Sequence, residues 1–224
     1  MEVSSQGAKL DHQSLLSSTE WLVEENEFDR SKVNFYETIF TVGNGYLGTR
    51  GSLEEGHQAS WPGTYINGVF DHYDSFVVDM VNAPSWPALS IWIDGDKLSI
   101  HHCELLEYKR VLDIRQGILY RISRFKDSKG RITRYESIRY ASFDQRHLFE
   151  VNGSLTPENY SGKIEIHSEI DGDVANLDLT PAYKNKPVFD PEMKWKKWSK
   201  SRHLDHVEAS KLDQGMYLEM HTLD

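Results

Sequence analysis

Residues 35–70 read FYETIFTVGNGYLGTRGSLEEGHQASWPGTYINGVF, and the fold turns on what their glycines are for. Gly43, Gly45 and Gly48 spell G-x-G-x-x-G behind a strand-like run, Thr38-Ile39-Phe40-Thr41-Val42. That pattern can open a dinucleotide site, where glycines let the backbone approach a pyrophosphate at a helix N-terminus. Such a site would make the chain α/β. The residues that follow argue against it. Gly51, Gly56, Pro62, Gly63 and Gly68 interrupt the stretch, and no apolar spacing of three and four remains to build the helix. Asp71 stands near the distance of a ribose-binding acid, but a carboxylate without the helix makes no site. The expectation is therefore no nicotinamide, flavin or other cofactor, with the glycines serving tight loops between strands.

Working outward, the pattern is one of strands and turns. Runs at 89–93 and 97–100 flank Asp94-Gly95, a dipeptide that suits a tight hairpin turn with positive φ. A longer hairpin pairs 117–125 with 131–143 around the turn at 126–130. In its second arm Ile132, Arg134, Glu136, Ile138 and Tyr140 share one face. Thr133, Tyr135, Ser137, Arg139 and Ala141 share the other. Neither face is cleanly apolar, which suits a wide sheet with one solvated side. Further strands are expected at 148–155, 163–170 and 216–222. Pro181, Pro187 and Pro191 break a long loop between the last two, and Pro84 and Pro87 mark a loop around Ser85 and Trp86. No helix of convincing length and no internal repeat is visible. The fold class is all-β, a large antiparallel β-sandwich. Residues 1–18 read as a flexible polar arm, and 19–224 as one domain.

Composition closes several routes. A net charge of −10 argues against a nucleic-acid partner, because phosphates need a basic footprint. The run Lys194-Trp195-Lys196-Lys197-Trp198-Ser199-Lys200 with Arg202 is a local exception, read as a solvated loop or a docking segment. The lone Cys103 allows no intrachain disulfide and fits a reducing, cytoplasmic setting. His101-His102-Cys103-Glu104 offers metal-ligand atoms, but neighbours on a strand point to opposite faces. His203 and His206 have helical spacing without a third ligand, so no metal site is expected. No apolar run approaches the roughly 18 residues of a membrane span, and Met1 to Ser18 holds no signal-peptide core.

NGYLGTRG at 44–51 and GTYINGVFD at 63–71 together resemble the opening signature of glycoside hydrolase family 65. The resemblance continues through VNAPSW at 81–86, IDG at 93–95, RVLDIRQG at 110–117, PENYSG at 157–162 and IDG at 170–172. It covers about residues 20 to 180, in the family's order, and is confined to the family's N-terminal β-sandwich domain. The family comprises maltose, trehalose and kojibiose phosphorylases and their hydrolase relatives. The resemblance implies a helical-barrel catalytic domain beyond residue 224, with this domain cut before its natural end. There a glutamic acid protonates the glycosidic oxygen and inorganic phosphate attacks the anomeric carbon with inversion, giving a sugar 1-phosphate. It also suggests homodimers.

Within this chain no pair of carboxylates stands out as a glycosidase acid and base or nucleophile. Glu54-Glu55 reads as a solvated turn. No catalytic residue is assigned, and the chain alone is expected to be inactive. Trp61, Tyr65, Asn67, Phe70 and Trp86 are candidates for a wall near the sugar, rings against C–H faces and an amide for hydroxyls. The alternative is that they pack this domain against the catalytic barrel. The leading reading is the non-catalytic N-terminal domain of a disaccharide phosphorylase. Alternatives are an autonomous carbohydrate-binding module, a domain of a trehalose-type glycoside hydrolase, or a complete small hydrolase.

Overall fold

The computed structural model describes residues 16–72, 78–179, 198–201, 203–212 and 215–223. In chain order the first elements are β1 (Leu22–Glu25), α1 (Val33–Ile39), β2 (Val42–Gly43), β3 (Leu47–Thr49) and β4 (Thr64–Ile66). They are followed by β5 (Phe70–Asp71), β6 (Asp79–Met80), β7 (Ser85–Ile93), β8 (Asp96–Leu98) and β9 (Glu104–Asp113). Next come β10 (Ile118–Lys126), β11 (Ile132–Ala141), β12 (Phe149–Pro157) and β13 (Ile164–Asp171). The last are β14 (Asn176–Leu179), β15 (Trp198–Ser201), β16 (Leu204–Leu212) and β17 (Gly215–Thr222).

The largest sheet has the order β1-β9-β10-β11-β12, and a second has the order β13-β7-β8. All their pairings are antiparallel. Ile91, Ile93 and Leu98 from the smaller sheet form one cluster with Tyr108, Phe125 and Tyr135 from the larger, with Leu53 between them. This layer of interdigitated side chains is the core of the sandwich. The two expected hairpins are present. Asp94 (φ 48°) and Gly95 (φ 86°) both take positive φ, the geometry whose twist matches paired strands.

Several local expectations need correction. Residues 38–39 end α1 rather than begin a strand, and β2 starts only at Val42. The helix forms because its carbonyls and side chains grip the glycine-rich segment, as described below. Ser85 and Trp86 belong to β7, since Pro87 needs no ladder donor there. The expected loop between 170 and 216 contains β14, β15 and β16. His203 and His206 are not on a helix: His206 lies on β16. Residues 99–103 form a turn before β9, closed by His102 N–H and Cys103 N–H donating to Ser99 O. The outer face of the large sheet is not simply solvated, because Val111, Tyr120 and Ile122 are buried there with Leu16, Leu22 and Ile138 packed against them. The backbone N–H of Ser17 donates to Asp113 Oδ2 at 2.7 Å. Residues 1–15 of the expected arm lie outside the described residues, as do Trp195 and Arg202.

Candidate functional site

The glycine-rich segment lies on the inner face of the large sheet, and three arginines hold it there. Register places Arg110 opposite Arg121, and Arg139 two residues from Ser137, which pairs with Arg121. All three therefore point inward, where alternation would otherwise put apolar side chains. Arg110 Nη1 donates to Gly51 O at 2.6 Å, and Arg139 Nη2 to Ser52 O at 2.9 Å. Glu54 answers both remaining charges: Oε2 lies 2.7 Å from Arg121 Nη1 and Oε1 lies 2.7 Å from Arg139 Nη2. Glu55 grips Arg121 with both oxygens, at 2.6 and 2.7 Å. Glu25, across β1, accepts from Arg110 Nε at 2.6 Å and from Tyr108 Oη at 2.9 Å.

Glu54-Glu55 is thus the opposite of a solvated turn: the pair neutralises buried guanidinium groups. Burial of Glu54 raises its carboxyl pKa, but Arg139 and Arg121 outweigh burial and hold it at about 2. Burial also works against charged Arg121, while Glu55 and Glu54 keep it protonated well above the ordinary range. Buried ions persist when they are paired and hydrogen-bonded. The glycines make this docking possible. A Cβ on Gly51 would lie 2.5 Å from Phe40 Cβ, and one on Gly63 would lie 2.8 Å from both Arg50 Cδ and Tyr65 Cε2.

From this base α1 pins the loop that carries the first candidate ring. Buried Glu37 accepts from Trp61 N–H at 2.8 Å and from Ser60 Oγ–H. Asn34 Nδ2 donates to Ala59 O at 2.7 Å. Gly51 N–H returns to Glu37 O at 2.8 Å. Trp61 and Tyr65 are half-buried on either side of Gly63, and burial pushes the Tyr65 hydroxyl pKa up against the opposing influence of Arg50. Asn67 is exposed, hung on the β2–β3 turn by its N–H to Tyr46 O at 2.8 Å. Phe70 is exposed on β5 opposite Met80. Its neighbour Asp71 is buried, with Oδ2 2.9 Å from His203 Nδ1. Trp86 stands apart from this run: it stacks on Phe149 at 5.1 Å, bridging β7 and β12.

The structure therefore keeps Trp61, Tyr65, Asn67 and Phe70 on one connected ribbon and assigns Trp86 to a contact between sheets. Sequence reasoning missed the arginine set. Its only signal was the placement of Arg139 on the same alternating face as Tyr135 and Ala141. No cluster of three or more metal-ligating side chains occurs among the described residues. Among them, no helix is long and apolar enough to cross a membrane.

An antiparallel sandwich with this glycine-rich segment clamped inside it defines the class. Residues 23–224 match the model of the glycosyl hydrolase family 65 N-terminal domain, and the chain belongs to that family. It is 39% identical over 215 residues to kojibiose phosphorylase of Thermoanaerobacter brockii, a match covering 96% of this chain and 26% of that protein. It is 31% identical over 173 residues to α,α-trehalose phosphorylase of the same organism, covering 70% of this chain and 22% of that protein. A solved structure of a candidate kojibiose phosphorylase from the human microbiome superposes with a TM-score of 0.73 at 19% identity. It covers 93% of this chain and 26% of that one, and at that identity it shows the fold alone. The chain spans about a quarter of the length of these relatives.

Proposed function

We propose that this chain is the non-catalytic N-terminal domain of a cytoplasmic disaccharide phosphorylase. The complete enzyme would cleave an α-glucosidic disaccharide with inorganic phosphate, inverting the anomeric carbon to give a sugar 1-phosphate. The observation that carries this reading is 39% identity sustained across 96% of the chain to a kojibiose phosphorylase. Kojibiose is accordingly the first substrate to try. Acid and phosphate site belong to the catalytic barrel in this reading, and the domain contributes shape. The Trp61–Phe70 ribbon, fixed at its start by Glu37, would face the barrel or the sugar that it binds, with Trp86 held in the sandwich by its stack on Phe149.

The test is a reaction of the full-length polypeptide with kojibiose, trehalose and maltose, with and without phosphate. Sugar 1-phosphate formed only when phosphate is present supports the reading. Release of free glucose at the same rate without phosphate would make the parent protein a hydrolase and refute it. The 224-residue chain, assayed alongside, should form no product above a no-enzyme control.

A further inference from the structure

One rim of the five-stranded sheet carries apolar side chains that stand exposed among the described residues. Trp21 precedes β1, Ile114 follows β9, Phe143 follows β11 and Leu148 precedes β12, so all four stand at the same end of adjoining strands. Their exposures are 40%, 52%, 75% and 42%. Backbone hydrogen bonds pair Trp21 with Ile114 and the turn that carries Phe143 with Leu148. Ile114 N–H donates to Trp21 O at 3.0 Å, and a Cβ on Gly117, in the β9–β10 turn, would lie 3.6 Å from the Phe143 ring. Single exposed apolar residues are ordinary on protein surfaces. A row of them along one edge is a feature of interaction sites.

The rim is also held in shape. Ser142 N–H donates to Leu148 O at 2.9 Å and Leu148 N–H to Gln145 O at 2.8 Å, closing the turn that raises Phe143. Asn44, from the glycine hairpin, donates from Nδ2 to Ser142 O at 2.5 Å and to Arg146 O at 3.0 Å. Its Oδ1 accepts from Tyr46 N–H at 3.1 Å and Leu47 N–H at 2.9 Å. One amide thus fastens the glycine hairpin to the rim turn. Arg146 and His147 then enclose the Tyr46 ring, at 5.2 and 4.3 Å. An aromatic side chain carried on a turn already ordered loses little entropy when it is covered.

We propose that this rim is the docking surface for the rest of the same polypeptide, with Phe143 as its anchor. The proposal rests on reading the chain as one domain of a longer phosphorylase. Length selects the occupant: about three quarters of the kojibiose phosphorylase relative lies outside the match. A tethered domain also meets the rim at a higher effective concentration than any free partner.

Hydroxyl-radical footprinting of the full-length polypeptide tests this, with the oxidation of Phe143 and Trp21 scaled to the same peptides in denatured protein. Phe143 should be protected about tenfold or more, as befits a central anchor. In the same protein Phe143→Ser should speed proteolytic release of the N-terminal domain. Oxidation of Phe143 at the rate expected of an open ring would overturn the proposal. So would protection that disappears when an oligomer is diluted to monomers, because a second copy would then be the occupant. Phosphorolysis by the same preparation is a separate readout. An active enzyme with an open rim sinks the docking surface alone, and a protected rim without phosphorolysis sinks the enzyme reading alone.

Discussion

Replacing Glu54 with Gln is the sharpest test of the internal clamp, because it removes one charge and almost no volume. In the folded protein the Glu54 carboxyl is held at about 2, against 4.5 for an unperturbed glutamate. At about 1.4 kcal/mol per unit, the ionised form contributes about 3 kcal/mol at neutral pH. Because the folded pKa is depressed, that contribution is complete above pH 4.5. It fades as the pH falls from about 4.5 to about 2 and is gone below. Glu54→Gln should therefore cost about 3 kcal/mol at pH 7, within the range for breaking a buried ion pair. Arg121 retains Glu55, so the unbalanced charge falls mainly on Arg139. Urea unfolding followed by circular dichroism measures the loss. For a domain of this size it corresponds to a melting point lower by about 6–12 °C. The variant's deficit should shrink as pH falls through the same window. A loss under about 0.5 kcal/mol at pH 7, or a deficit unchanged at pH 3, would refute the reasoning and leave the backbone carbonyls as the real anchors.

The glycines should divide by geometry, as measured by the same unfolding assay. Gly51→Ala forces a Cβ against Phe40 and should cost about 3 kcal/mol. Gly45→Ala, at φ +84° in open space, should cost about 1–2 kcal/mol. Gly48→Ala, which meets nothing, should stay within about 0.5 kcal/mol, and a reversal of this order would sink the account. Burial raises the hydroxyl pKa of Tyr108 and Tyr135, Tyr108 also through Glu25 and Tyr135 through Glu54. Their support for the fold is complete below about pH 10 and is lost as pH rises beyond it, so alkaline difference spectroscopy should show both ionising only with unfolding. Tyr108→Phe should leave the earlier titration steps unchanged. Calorimetric titration with nicotinamide or flavin dinucleotides should give no saturable heat; micromolar binding abolished by Gly45→Val would restore the reading rejected from sequence.

Much of the architecture was legible because strand signals are local. Asp94-Gly95 and the glycine at 130 announce turns by backbone chemistry that no distant residue has to supply, and both hairpins formed where expected. The errors share a cause. The run 38–42 has β-branched and aromatic residues, yet Thr38 and Ile39 are helical because Glu37 O and the Glu37 carboxylate hold Gly51, Ser60 and Trp61. Tertiary partners outweighed propensity there. Glu54-Glu55 looked solvated because nothing nearby in sequence is cationic except Arg50. Its partners, Arg121 and Arg139, come from strands far along the chain.

The sequence by itself determined the class: antiparallel strands, the absence of a phosphate-binding helix behind Gly48, and a signature shared with family 65. These depend on alternation, turn chemistry and residue order, all of which are written in short windows. Only the tertiary structure decided what the signature is for. It made Gly51 and Gly63 close-contact points against Phe40, Arg50 and Tyr65, and left Gly45 and Gly48 with open space where a side chain would stand. It placed three arginines where their charges could be answered, and it left Phe143 standing on an open rim. Pairing a charge and covering an apolar ring are events between residues far apart in the chain, and their energies do not exist until the sheets have brought those residues together.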